Sequence, residues 1–323
     1  MGPRYKPIDL ITIAYLSFIL LLAIFFNQQL TCPLSQGAEQ TVKKAWLFYV
    51  ISHSLLIGAI IVLLQLTLPS FLPTERGNRK GVNKIARGSL AFLKFLRQWY
   101  PALLFIFFYR ETQNLIHLFF PQWFDQHIQN LESLLFGINP SLWLERISFP
   151  LLTEWLMFTY FVYFFLVIIV GFALYFSNKE KEFNNFIFAC AATFYLSSIL
   201  FFLYPVEGPR YAMSALYTKP LNGYLFTNII KQTMQSAAVH GGGMPSSHVA
   251  VALICLIYSR KANSLLFWVL FPIVISMAFG AVYGRFHYVT DVIVGLIIGA
   301  FFSYLSPRVN RLLPESSGGN APP

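Results

Sequence analysis

Apolar residues in this chain fall in long runs separated by short polar stretches. Many of the runs are of the length a helix needs to cross a bilayer. That length is about 20 residues, because inside hydrocarbon every backbone polar group must be satisfied within the segment itself. Eight spans are predicted, at 8–27, 45–68, 99–120, 151–176, 183–204, 246–259, 264–283 and 288–306. The third carries Arg110 and Glu111 side by side, and the sixth has a short apolar centre. The first run is long and no small-residue cleavage site follows it, so it reads as a retained anchor and not a signal peptide. No repeat of fixed period is visible, and the tail from Pro314, rich in Gly, Ser and Pro, reads as disordered. The organisation expected is two spans and a basic loop over 1–98, a six-span helical bundle over 99–306, and a tail over 307–323.

Composition gives the same class. Hydrophobic residues make up 56% of the 323 and charged residues 11%, with 34 Phe. A soluble domain is about 25% charged, and so few charges could not cover this much apolar surface in water. The fold class is all-α integral membrane. Cys32, Cys190 and Cys255 are too few and too scattered for a disulfide framework or a zinc cluster.

The net charge of +10 raises nucleic acid as a partner, and its distribution answers the question. Alternate connecting segments hold Arg4 and Lys6; Arg76, Arg79, Lys80, Lys84, Arg87, Lys94 and Arg97; Lys179 and Lys181; Arg260 and Lys261; and Arg308 and Arg311. These are 15 of the 23 Lys and Arg residues, all on one predicted face. Cytoplasmic loops are enriched in such residues. The pattern therefore predicts both termini inside, in a plasma (inner) membrane, and assigns the basic stretch to lipid headgroups and not to nucleic acid.

Three polar clusters interrupt the apolar runs. They are Pro205-Val-Glu-Gly-Pro-Arg-Tyr211 after the fifth span, His240-Gly-Gly-Gly-Met-Pro-Ser-Ser-His248 before the sixth, and Tyr283-Gly-Arg-Phe-His-Tyr-Val-Thr-Asp291 at the start of the eighth. The predicted topology puts all three on the outer, periplasmic or extracellular, face, where they can converge. Each supplies a different part of a phosphate site. Arg210 and Arg285 can grip phosphate oxygens as bidentate forks. Pro245 suits the first turn of a helix, whose free N–H groups at Ser246, Ser247 and His248 would face an anion. The Gly241–Gly243 run permits close backbone approach. His287 and Asp291 are four apart, so on a helix the carboxylate can accept the Nδ1–H and leave Nε2 free to attack phosphorus. His248 is then available to protonate the leaving oxygen.

Taken singly these signals are weak. A His-x3-Asp pair is usually a structural hydrogen bond, Arg210 after Gly-Pro can be an interfacial anchor, and Glu207 reads as a local charge partner. His240-Gly-Gly-Gly looks like an esterase oxyanion loop, but that chemistry needs a Gly-x-Ser-x-Gly elbow on an α/β sheet. The force of the phosphate reading lies in the shared face and the complementary parts.

At these residues the sequence resembles the type 2 phosphatidic acid phosphatase (PAP2) superfamily, related to the vanadium haloperoxidases, and within it the bacterial relatives of inositol phosphorylceramide synthase. The family's Pro-Ser-Gly-His appears as Pro245-Ser246-Ser247-His248. Its Ser-Arg-x5-His-x3-Asp appears as Gly280-Ala281, five residues, then His287-x3-Asp291. The resemblance covers roughly 99–306 and implies His287 as nucleophile, Asp291 as its orienting carboxylate and His248 as general acid. Two positions depart from it. Leu203 stands where the first motif has Lys, with Pro209 before Arg210 and not after it, and Ala281 replaces the Arg of the third motif. Arg285, four residues on, is expected to take over that contact.

The resemblance implies an enzyme that takes the phosphoryl group of a lipid phosphate onto His287, without a metal or other cofactor. Water as acceptor makes it a phosphatase, the reading favoured, and an alcohol makes it a phosphotransferase of the inositol phosphorylceramide synthase type. Two rivals from other classes are a transporter, with Arg110 and Glu111 as suspects, and a metallohydrolase ligated by His248, His287 and Asp291.

Overall fold

The computed structural model describes residues 6–26, 84–112, 115–237 and 240–312. The predicted second span and the tail beyond residue 312 lie outside the described residues, whereas residues 307–312, expected as tail, continue the last helix. Among the described residues the chain is helical, without strands. By compactness it divides into two units, residues 108–307 in one and residues 1–107 with 308–323 in the other.

Among the described residues, five helices are long and apolar enough to cross a membrane, and each overlaps a predicted span. They are α1 (Pro7–Phe25), α5 (Pro150–Phe176), α6 (Glu180–Leu203), α10 (Ser264–Tyr283) and α11 (Val289–Leu312). Proline in the first turn starts α1 and α5, where its missing N–H costs nothing. The Asn263 side chain caps α10 by accepting the Leu265 N–H at 2.7 Å.

Two further predicted spans take a different form. The third is helix α2 (Lys84–Thr112), which begins well before residue 99 and ends before 120. Lys84 to Arg97, read from the sequence as loop, form its first half. The reason is a partner no local pattern reveals: Arg97 and the Tyr100 hydroxyl both meet the buried Asp9 carboxylate of α1. An ion pair with its remaining lone pairs hydrogen-bonded can sit where an isolated charge could not. The sixth is α9 (Ser247–Ala262), only 16 residues. At about 1.5 Å per residue it falls short of the roughly 30 Å hydrocarbon core.

In the unit of residues 108–307, α6 and α9 form the interior. Of the apolar stretch of α6, 78% is buried, against 33% for α10 and for α11. The outer helices turn Phe164, Ile168, Trp268, Ile275, Ile297 and Phe301 outward, an apolar exterior suited to lipid. α9 packs against α5, α6 and α10. It meets α11 at backbone distance, because a Cβ at Gly295 or Gly299 would collide with the carbonyl oxygens of Ser246 or Ala250. At one end of this bundle the Lys179 ammonium donates to the carbonyls of Lys261 and Ala262, and Lys261 pairs with Glu182. At the other end the Thr153 and Tyr283 hydroxyls meet at 2.6 Å, where the three polar clusters gather.

Among the described residues, five shorter elements complete this unit. They are α3 (Asp125–Phe136), α4 (Pro140–Glu145), α7 (Pro209–Ala212), a 3-10 turn (Ser214–Leu216) and α8 (Leu225–Ala237).

Candidate active site

The three clusters converge, and backbone hydrogen bonds stitch them together. Gly243 N–H donates to the Val206 carbonyl at 2.9 Å, Arg210 N–H to Arg285 O at 2.8 Å, and Ser246 N–H to Asp291 O at 3.0 Å. Gly208 allows the second of these contacts. It has φ +91, and a Cβ there would sit 2.7 Å from the Phe286 carbonyl oxygen.

A single helix clamps the first and third clusters. On α3, Asp125, Gln129 and Glu132 lie at i, i+4 and i+7 and so share one face. The buried Asp125 carboxylate accepts the N–H groups of Glu207 and Gly208 at 2.8 and 2.9 Å, and the Tyr288 hydroxyl at 3.0 Å. Gln129 donates to that same hydroxyl at 3.1 Å, and Glu132 accepts the Thr290 N–H at 2.9 Å. Burial raises the Glu132 carboxyl above its ordinary range, the Thr290 N–H opposes this, and the nearby Asp291 adds to it. Sequence reasoning missed this face, since three polar residues at helical spacing look like an ordinary solvated stripe. Replacing Asp125 by Ala would strand two backbone donors and loosen both segments. Because ångström-scale misplacement costs about 10²-fold, Asp125→Ala is expected to lower kcat by about that factor. Asp125→Asn, which keeps an acceptor oxygen, should recover part of it. Equal kcat in wild type and Asp125→Ala would remove the clamp from the account.

His287 lies just before α11, not on it, which corrects the helix-face argument for its pairing with Asp291. Its Nδ1 is 2.8 Å from the Gly243 carbonyl and 3.6 Å from Asp291 Oδ2. The carbonyl, a pure acceptor, fixes the proton on Nδ1 and leaves Nε2 with its lone pair. Asp291 Oδ2 reaches back to the Tyr288 N–H at 2.8 Å, as an acidic residue in the first turn of a helix does. The carboxylate therefore acts on the imidazole at ion-pair distance, and the hydrogen bond predicted for it goes to Gly243. The ring of His248, on α9, stands 5.8 Å from that of His287 and packs on Tyr160 and Tyr163.

Both imidazoles open into a cavity of about 50 Å³ lined also by Arg210, Glu207, Tyr109, Gly242 and Gly243. A single water needs about 10–15 Å³, so a small tetrahedral group fits. Glu207 has the charge partner the sequence reading expected, His240 at 2.9 Å. Burial raises the Glu207 carboxyl, with His240 pulling it down and Asp125 pushing it up.

Three predicted phosphate ligands are not in this wall. Ser246 is buried, its N–H already donated to Asp291 O and its hydroxyl capping Val249. Ser247, also buried, begins α9. The N–H groups of Ser247 and His248 remain first-turn donors without an intrahelical acceptor. Arg285 takes a left-handed backbone (φ 64) outside any helix, and it is not among the residues lining the cavity of the histidines. Its guanidinium donates to Glu145 Oε2 at 3.1 Å and to Lys219 O at 2.6 Å, and lies 3.8 Å over the Tyr217 ring. Glu145 also accepts from the N–H and hydroxyl of Thr218 and from the Lys219 N–H. Burial opposes ionisation of Glu145, but these donors and Arg285 hold its carboxyl below the ordinary value. Among the described residues no three His, Cys, Asp or Glu side chains gather as a metal site would require.

No curated protein and no solved structure matches the chain. A family model described as the PAP2 superfamily covers residues 126–305, more than half of the sequence, from the clamping helix through Asp291 and most of α11. The two histidines, the aspartate and the loops that carry them thus lie within the matched region, and the chain belongs to the PAP2 superfamily.

Proposed function

We propose that this protein is a membrane lipid phosphatase acting through a phosphohistidine on His287. Membership of the PAP2 superfamily supports a phosphatase-type activity on lipid phosphates. The chief support for the mechanism is the convergence of His287, His248 and Arg210 on one small cavity, with the His287 proton held on Nδ1 by Gly243. Nε2 attacks phosphorus, and the bond from phosphorus to the lipid oxygen breaks as His248 gives that oxygen a proton. Water then attacks the phosphohistidine, His248 takes its proton, and the P–N bond breaks to release phosphate and free His287. Arg210 holds the nonbridging oxygens throughout, and Asp291 steadies the cationic imidazole.

The test is phosphate release by the purified full-length protein in detergent from a panel of lipid phosphates, with and without alcohol acceptors. Vanadate is expected to inhibit and EDTA to have no effect. Loss of activity in EDTA would replace this mechanism with a metal-dependent one. Diversion of the phosphoryl group to added alcohol would make the protein a phosphotransferase.

We place the cavity on the non-cytoplasmic side because Lys179, Lys181, Arg260 and Lys261 lie at the opposite end of the bundle, where basic residues mark the cytoplasmic face. In a Cys32→Ser background, Lys219→Cys is expected to react with an impermeant maleimide in intact cells. Lys181→Cys should react only after permeabilisation. The reverse pattern would invert the topology.

A further inference from the structure

A second cavity, of about 260 Å³, adjoins the one that holds the histidines. Arg210 and Phe286 line both, so the two chambers meet at the guanidinium assigned to the substrate phosphate. Helix α5 contributes Thr153 and Met157, the segment before α8 gives Pro220 and Leu221, and α8 supplies Ile230 and Lys231. Glu154 fixes the start of α8 by accepting the N–H groups of Tyr224, Phe226 and Thr227 and the Thr227 hydroxyl. This wall is therefore built and held.

The charges of this chamber point one way. Its lining includes Arg210, Lys231 and Arg285 and no carboxylate. Arg285 is neutralised by Glu145, while among the described residues neither Arg210 nor Lys231 is ion-paired. Two uncompensated cations beside a phosphoryl-transfer site attract a further oxyanion. Lys231 has no part in the chemistry proposed above, and the sequence reading gave it none.

We propose that this chamber is a second phosphate-group site, with Arg210 shared between the two sites and Lys231 belonging to this one. The inference rests on the phosphatase reading for Arg210. Its ligand is either the inorganic phosphate product, held on its way out of the small chamber, or a second phosphate carried by the substrate. In both cases the recognising chemistry is the same, a dianionic oxyanion between a guanidinium fork and an ammonium.

The test has a binding arm and a kinetic arm, both on the full-length protein in detergent. Equilibrium dialysis with labelled inorganic phosphate is expected to find two sites per chain in wild type and one in Leu221→Trp, which fills the larger chamber. Lys231→Gln should weaken the second site by about two- to fivefold, as loss of an exposed charge does. In turnover of an alkyl monophosphate, a product site gives inorganic phosphate a noncompetitive component of inhibition that disappears in Lys231→Gln and persists in the distant control Lys181→Gln. A substrate site instead gives wild type a lower KM for a lipid with two phosphates than for the monophosphate, and Lys231→Gln removes the difference. A single phosphate per chain in wild type, or a second one indifferent to both Lys231→Gln and Leu221→Trp, overturns the proposal. Two sites of the expected sensitivity in a protein that hydrolyses no lipid phosphate would leave this inference standing and sink the phosphatase reading alone.

Discussion

Replacing His287 by Ala is expected to abolish turnover of every phosphate ester, whatever its leaving group, whereas His248→Ala should discriminate between substrates. The nucleophile forms the new bond to phosphorus in all cases. The general acid matters only when the departing oxygen is a poor leaving group. A lipid alkoxide needs a proton in the transition state, a contribution of about 10²–10⁴-fold, while p-nitrophenolate leaves readily near neutral pH. His248→Ala should therefore lose most activity on a lipid phosphate and keep far more on p-nitrophenyl phosphate. Labelled substrate, quenched without acid, should place label on His287 in that variant. The surroundings of the two rings agree with this division. Nδ1 of His287 is anchored to Gly243, which holds Nε2 in place as a nucleophile must be held, while His248 sits among Tyr109, Tyr160 and Tyr163, where an apolar alcohol can be accommodated. Asp291→Asn is expected to slow both substrates alike, because it alters the environment of the nucleophile and not the leaving group. Equal loss on both substrates in His248→Ala and His287→Ala would overturn the assignment of roles.

The second large effect is expected at Arg210. A charge-assisted contact is worth about 1.5–3 kcal/mol, so Arg210→Ala should lose roughly 10- to 150-fold in kcat/KM. Arg210→Lys should regain only part of this, since a point charge cannot reproduce a bidentate fork. Arg285 provides the contrast. In the sequence it is the natural substitute for the arginine missing at Ala281, yet its guanidinium is bound to Glu145, Lys219 O and the Tyr217 face. Arg285→Ala should therefore act by releasing the 217–219 segment and leaving Glu145 with one donor fewer, a stability cost of about 1–3 kcal/mol. A lowered Tm with a much smaller change in kcat than Arg210→Ala is the expected outcome. The opposite ranking of kcat would show that Arg285 swings into the site when substrate binds.

Much of this protein is legible without coordinates, because the bilayer imposes its rules on each segment separately. A span must supply its own backbone hydrogen bonds and its own apolar surface, so α5, α6, α10 and α11 overlap the runs predicted at 151–176, 183–204, 264–283 and 288–306. The polar clusters stand out for the same reason, since charged and polar groups are rare where hydrocarbon penalises them, and His248, His287 and Arg210 do line one cavity. What the sequence could not decide were the partners. Whether the proton on His287 Nδ1 faces Asp291 or Gly243, whether Arg285 faces phosphate or Glu145, and whether Arg97 is loop or helix each depend on a group remote in the chain. The Asp125 clamp and the Lys231 chamber are of the same kind. A hydrogen bond or an ion pair is a property of two groups and the few ångströms between them, and only the packing of segments far apart in the chain sets that distance.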